Sequence, residues 1–205
     1  MTTKSTSVLD DPRWRAFNKK GVACSCGEHH VGLFPIHIHH PIGWPGPKDY
    51  EPDDALRFDG NFLSANYCVW EGKYFSMRMR LPFQIRGAQP AAFVFTVWAS
   101  LNRPDFEGYL DAVQNRRLNN KAKAPARLVN RLNGFPDTFK LMGTTFQQED
   151  GGPPLLLIHG PQPDNNPDHP LIPEQRQGIG IDRMLELFAA YQHDMRADLY
   201  RPKSR

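Results

Sequence analysis

The sequence predicts an α+β fold: a mainly antiparallel sheet of five or six strands, a helix after the central strand, and a long C-terminal helix packed on the sheet. Three stretches carry that expectation. Phe75, Met77, Met79 and Leu81 alternate with Tyr74, Ser76, Arg78 and Arg80, the period-two pattern of a strand with one buried and one wet face. Residues 91–101 are apolar on both alternating sets and rich in aromatic and β-branched side chains, which suits a strand covered on both faces. Ile181, Met184, Leu185, Phe188, Tyr191, Met195 and Leu199 then repeat at helical spacing over about five turns.

The chain begins with a short amphipathic helix. Asp10-Asp11-Pro12 supplies a cap and a first-turn proline, Trp14 and Phe17 lie three apart to dock on the core, and Gly21 ends it. Residues 36–39 read as a strand with Ile36 and Ile38 toward the core. Residues 41–52 form a Gly/Pro-rich surface loop. Glu71-Gly72 marks a tight hairpin turn, so Tyr67–Trp70 should fold back antiparallel on residues 73–79.

After the central strand, Asn102 and Pro104 start a helix whose apolar face is Phe106, Tyr109, Leu110 and Val113. Residues 138–148 and 155–159 read as two more strands joined by Gly151-Gly152-Pro153-Pro154, and residues 161–175 as a proline-stiffened loop without repetitive structure. The domain reading is an N-terminal arm with a short helix at 1–21, a single α+β domain at 22–199 and a frayed tail at 200–205.

Composition narrows the function classes. The 40% hydrophobic content, with 13 phenylalanines, excludes wholesale disorder. The longest apolar run, about eleven residues, falls short of the ~20 needed for a transmembrane helix. The N-terminal stretch lacks the apolar core of a secretion signal, so the expected location is the cytoplasm, with no membrane association. Net charge is +3 and the basic residues cluster: Arg116, Arg117, Lys121, Lys123, Arg127 and Arg131 occur with no acid among them. No aromatic platform lies among these six, so a solvated face is favoured over nucleic-acid binding.

Chemistry concentrates near the N-terminus. Cys24-Ser25-Cys26-Gly27-Glu28-His29-His30 is followed by His37, His39 and His40, so five of the eight histidines fall within twelve residues. Thiolate and imidazole are zinc's preferred ligands, and Gly27 lets the backbone bend around an ion. One residue between the cysteines, where zinc knuckles have two, makes it harder for both sulfurs to reach one ion. Only two thiols are local. Cys68 is the remaining one; taken by itself it reads as a buried free thiol on a strand, but the ligand count makes the expected zinc site Cys24, Cys26, His30 and Cys68. His37, His39 and His40 are expected to be a wet strand face.

The chain resembles the bacterial family catalogued as domain of unknown function 2199. The likeness rests on Cys26-Gly27 with His30, Cys68 before Tyr74-Phe75, Val97-Trp98 within residues 93–101, residues 134–138 (GFPDT), and Asp168-His169-Pro170-Leu171 with Glu174-Gln175 and Gly178-Ile179. The family pattern separates its cysteines by two residues, so Cys26, His30 and Cys68 match it better than Cys24. The resemblance implies small cytoplasmic proteins with no established activity. Its polar motif makes His169, Glu174 and Gln175 a candidate ligand loop.

Three functional readings follow. The first is a non-enzymatic binding or regulatory domain with a structural zinc site and an unspecified protein or small-molecule partner. The second is a metal-dependent hydrolase with Glu28 or Glu174 as general base. The third is a metal-free cysteine enzyme with Cys26 as nucleophile and His30 or His169 as base. No HExxH motif, nucleophile elbow or phosphate-binding glycine loop occurs, which favours the first reading.

Overall fold

The computed structural model describes residues 8–159 and 168–200. The first half of the loop at 161–175, most of the tail and the start of the N-terminal arm lie outside the described residues. The chain divides into two units. One comprises Met1–Ile36, Phe83–Val94 and Pro173–Arg205, the other His37–Pro82 and Phe95–Ile172.

The second unit is organised by a hairpin. Strand β5 (Tyr67–Trp70) pairs antiparallel with β6 (Tyr74–Gln84), with Tyr67 opposite Met77 and Trp70 opposite Tyr74. Both turn residues have positive φ, Glu71 at 55° and Gly72 at 63°, the combination that matches the twist of the flanking strands. Phe75, Met77, Met79 and Leu81 are buried, whereas Arg80 is exposed.

The sheet is not the open, mainly antiparallel one expected from the sequence. Strands β6, β7 (Ala92–Leu101), β8 (Lys123–Leu128), β9 (Met142–Phe146) and β10 (Leu155–Ile158) close into a five-strand barrel, because β6 and β7 also pair with each other. The barrel is mixed: β7–β8, β8–β9 and β9–β10 are antiparallel, but β10 meets β6 in parallel through Leu155 and Arg80. Short strands β3 (Ile36–His37) and β4 (Phe62–Leu63) extend the sheet beyond the ring, on β7 and β5 respectively.

Strand β8 is the piece the sequence hid. It runs through the basic block, with Lys123, Pro125 and Arg127 exposed and Ala126 and Leu128 buried. The alanines of its inner face carry too little apolar weight to register as alternation. Helix α2 (Arg103–Gln114) follows β7, its first turn capped by the Asn102 side chain, which accepts from the Asp105 N–H at 2.8 Å.

In the first unit, α1 (Pro12–Lys19) is capped by Asp11 and buries Trp14 and Phe17. Phe17 packs on Phe188, ring centroids 6.2 Å apart, and Phe93 meets Phe188 edge-on at 4.9 Å. Strands β1 (Val22–Ala23) and β2 (His29–His30) form a small antiparallel hairpin. Residues expected to be irregular include a helix, α3 (Leu171–Gln177), with Pro173 in its first turn, where a missing N–H breaks no intrahelical bond.

The long C-terminal helix is likewise corrected. Helix α4 (Ile181–Ala189) stops, and a separate short α5 (Arg196–Leu199) follows. Gln192 adopts φ 65°; its N–H bonds the Ala189 carbonyl at 3.1 Å, while the His193 N–H reaches back to Phe188 at 3.0 Å. These paired reverse bonds are a Schellman stop, with Gln192 where glycine usually sits. No helix among the described residues is long and apolar enough to cross a membrane.

Candidate metal centre

The β1–β2 hairpin turns through Cys24–Glu28. The Gly27 N–H bonds the Cys24 carbonyl and the Cys24 N–H bonds the Glu28 carbonyl, both at 3.0 Å. Gly27 makes this turn at φ 92°, a conformation strained for any residue with a side chain, and it leaves both cysteine side chains on one side of a compact loop.

Between the cysteines, Ser25 reaches the corner between α4 and α5. Its N–H donates to the Asp194 carbonyl at 3.0 Å. Its hydroxyl donates to the Gln192 carbonyl at 3.0 Å and accepts from the Asp194 N–H at 2.9 Å. Ser25 thus clamps the residues on both sides of His193. The clamp holds the cysteine turn against the α4–α5 corner, so that both sulfurs lie near His30 and His193 although a single residue separates them.

The result is a cluster of Cys24, Cys26, His30 and His193, each offering one ligand atom, with all four atoms within 4.8 Å of one another. Cys26 Sγ lies 3.3 Å from His30 Nε2, and Cys24 Sγ lies 3.7 Å from His193 Nδ1. Ligand bonds of ~2.3 Å to sulfur and ~2.0–2.1 Å to nitrogen put tetrahedral neighbours about 3.3–3.8 Å apart. These two pairs fall in that range, and every other pair of the four atoms lies within 4.8 Å.

Phe34 fixes both imidazoles. It stacks on His30 at 4.2 Å and meets His193 edge-on at 5.1 Å, while packing on Phe188 at 4.5 Å. Burial and the neighbouring His30 push the His193 pKa down, which favours the neutral imidazole a metal needs. Burial pushes the Cys24 thiol up, so without a cation it is held protonated.

Cys68 does not belong to this cluster. It is 2% exposed, in an apolar group with Leu63 and Trp98 against which Trp44 and Val129 pack, and burial drives its pKa up to about 12. Its neighbours in this group are apolar and offer no second ligand atom, and it is not among the four residues whose ligand atoms converge. The fourth member of the cluster is His193 instead. Nothing in the residue pattern singled out His193, because Phe188, Tyr191, Met195 and Leu199 stay in helical phase across the break; the only trace is the polar trio Gln192-His193-Asp194 inside an apolar period.

The remaining candidates are engaged elsewhere. His169 is buried and its Nδ1 accepts from the Leu171 N–H at 3.2 Å, at the start of α3. Both Glu174 oxygens accept from Arg183 Nε at 3.0 Å, and Gln175 is half-buried. Glu28 is exposed beside the cysteines. His37 and His39 are exposed and His40 half-buried, all in the second unit and outside the four-residue cluster.

Neither the curated proteins nor the solved structures contain a match to this chain. The profile of a family described as an uncharacterized protein conserved in bacteria (DUF2199) matches residues 23–179, a span that includes Cys24, Cys26 and His30 and ends before His193. That span is well over half of the chain, and the chain belongs to this family.

Proposed function

We propose that the chain is a non-enzymatic binding domain whose N-terminal hairpin is fastened to the α4–α5 corner by a structural zinc ion held by Cys24, Cys26, His30 and His193. The observation that carries this reading is the convergence of four ligand atoms within 4.8 Å from two separate segments of one unit. Two thiolates and two imidazoles are a set that zinc takes in closed tetrahedral sites, and four protein ligands leave no position for a substrate or water. Metal binding there would be folding energy for the hairpin, whose two-residue strands contribute few hydrogen bonds of their own.

One observation favours a second reading. Cys26 is exposed and its sulfur lies 3.3 Å from His30 Nε2, the arrangement of a thiol with its base in a cysteine enzyme. Alkylation separates the two readings. With zinc present, the first reading predicts that Cys24 and Cys26 resist iodoacetamide together and that native mass spectrometry finds one zinc per chain. Rapid modification of Cys26 alone, unaffected by zinc or chelator, would favour the thiol enzyme.

A further inference from the structure

A cavity lies in the other unit, on the outer face of the barrel. In the β5–β6 pairing Cys68 stands opposite Ser76 and Trp70 opposite Tyr74, so these four side chains share one face, the one the alternation marks as wet. On that face solvent-directed charge gives way to a cavity of about 490 Å³. Its apolar walls are Ile42, Trp70, Tyr74, Val129 and Phe139, of which all but the exposed Tyr74 are half-buried. Trp70 and Tyr74 pack at 5.8 Å, and the Pro41–Gly43 turn lies beside them, where a methyl at Gly43 would make ordinary contact with the Trp70 ring at 3.6 Å.

Polar groups enter at a few points. Ser76, 5% exposed, and Ser100 bring hydroxyls to the lining. The charged lining residues are two cations, Arg127 and Lys140, and one acid, Glu71. Lys140 holds φ 68°, unfavourable for a residue with a side chain, and its Nζ lies 5.3 Å from the centre of the Phe139 ring.

We propose that this cavity binds a small amphipathic anion, an aromatic or branched aliphatic body carrying one carboxylate or sulfonate. Its volume falls within the ~300–1,000 Å³ of small-molecule sites, and its walls are mainly apolar with few polar groups, as such sites are. The apolar body lies against Trp70, Val129 and Phe139, and the anion meets Lys140 and Arg127, whose charges outnumber that of Glu71. The site is independent of the metal reading, since its lining residues are all in the second unit.

The test is a fluorescence titration of the full chain with anilinonaphthalene sulfonate, an aromatic body with one fixed negative charge, alongside its uncharged analogue phenylnaphthylamine. The expected result is saturable one-to-one binding of the anion, weakened about tenfold or more by Lys140→Glu and by Phe139→Ala, and about tenfold weaker for the uncharged analogue. Circular dichroism establishes that each variant is folded; if one is not, weakening of wild-type binding on raising salt from about 50 to about 500 mM replaces it. Absence of saturable binding, or binding indifferent to both substitutions and to salt, overturns the proposal. So does probe affinity that falls as protein concentration rises, which would make the face an interface between copies of the chain.

Discussion

Cys24 and Cys26 in one unit and Cys68 in the other are the same side chain held by different forces. Cys68 sits on a strand among Leu63, Trp98 and Trp44, and its surroundings are stable because they exclude water. Cys24 and Cys26 sit in a five-residue turn anchored by a handful of hydrogen bonds and faced by two imidazoles. The first environment suppresses thiol chemistry, and the second concentrates it. A thiol's role therefore follows from whether its neighbours are apolar groups or other ligands, and the two regions should respond differently to mutation, pH and metal.

The apolar region should be the more sensitive to lost volume. Phe95 is fully buried, and Phe95→Ala should cost about 3–5 kcal/mol in denaturant unfolding. A change near zero would contradict its place in the core.

Alkali should sharpen the contrast between the thiols. Folding raises the Cys68 pKa from 9.0 to about 12, so its contribution to stability is complete below about pH 9 and is lost as pH rises toward 12. Over that window the unfolded chain has released the proton and the folded chain still holds it. Stability should fall by about 1.4 kcal/mol per pH unit more steeply in the wild type than in Cys68→Ala. Identical slopes would show that Cys68 is not buried as described.

The polar region should respond to its clamp. Ser25→Ala removes the hydroxyl bonds to Gln192 and Asp194 while leaving both cysteines in place. Zinc affinity, measured by competition with a chromophoric chelator, should drop about 10–100-fold, as it does when groups that orient metal ligands are removed. Unchanged affinity would mean that His193 is held without Ser25. The smallest effect expected is at the helix stop: Gln192→Gly relieves a left-handed conformation and should raise thermal stability by about 0.5–1 kcal/mol with zinc binding retained. A loss of stability would contradict the Schellman assignment.

How far the sequence can be read differs between the same two regions. The β5–β6 hairpin was legible because its information is local: alternation fixes the faces and Glu71-Gly72 fixes the turn. Barrel closure was not, since it depends on β8, whose inner face is mostly alanine, and on a parallel β10–β6 contact that adjacency along the chain cannot suggest. Three of the four residues of the Cys24/Cys26/His30/His193 group were legible as a Cys/His cluster. His193 was hidden by the same feature that hid the end of α4: the apolar period runs in phase through Gln192, so one overlooked helix stop accounts for both the long-helix expectation and the choice of Cys68 as the fourth ligand.

In the proposed site His193, and not Cys68, is the fourth ligand. Elemental analysis of untagged protein, prepared with zinc and then exchanged into metal-free buffer, tests it in three samples: wild type, His193→Ala and Cys68→Ser. The expected result is about one zinc per chain in the wild type and in Cys68→Ser, and a substantial loss in His193→Ala, with each sample checked for folding by circular dichroism. Zinc retained in His193→Ala but lost from a folded Cys68→Ser, or no zinc in the wild type, would contradict it.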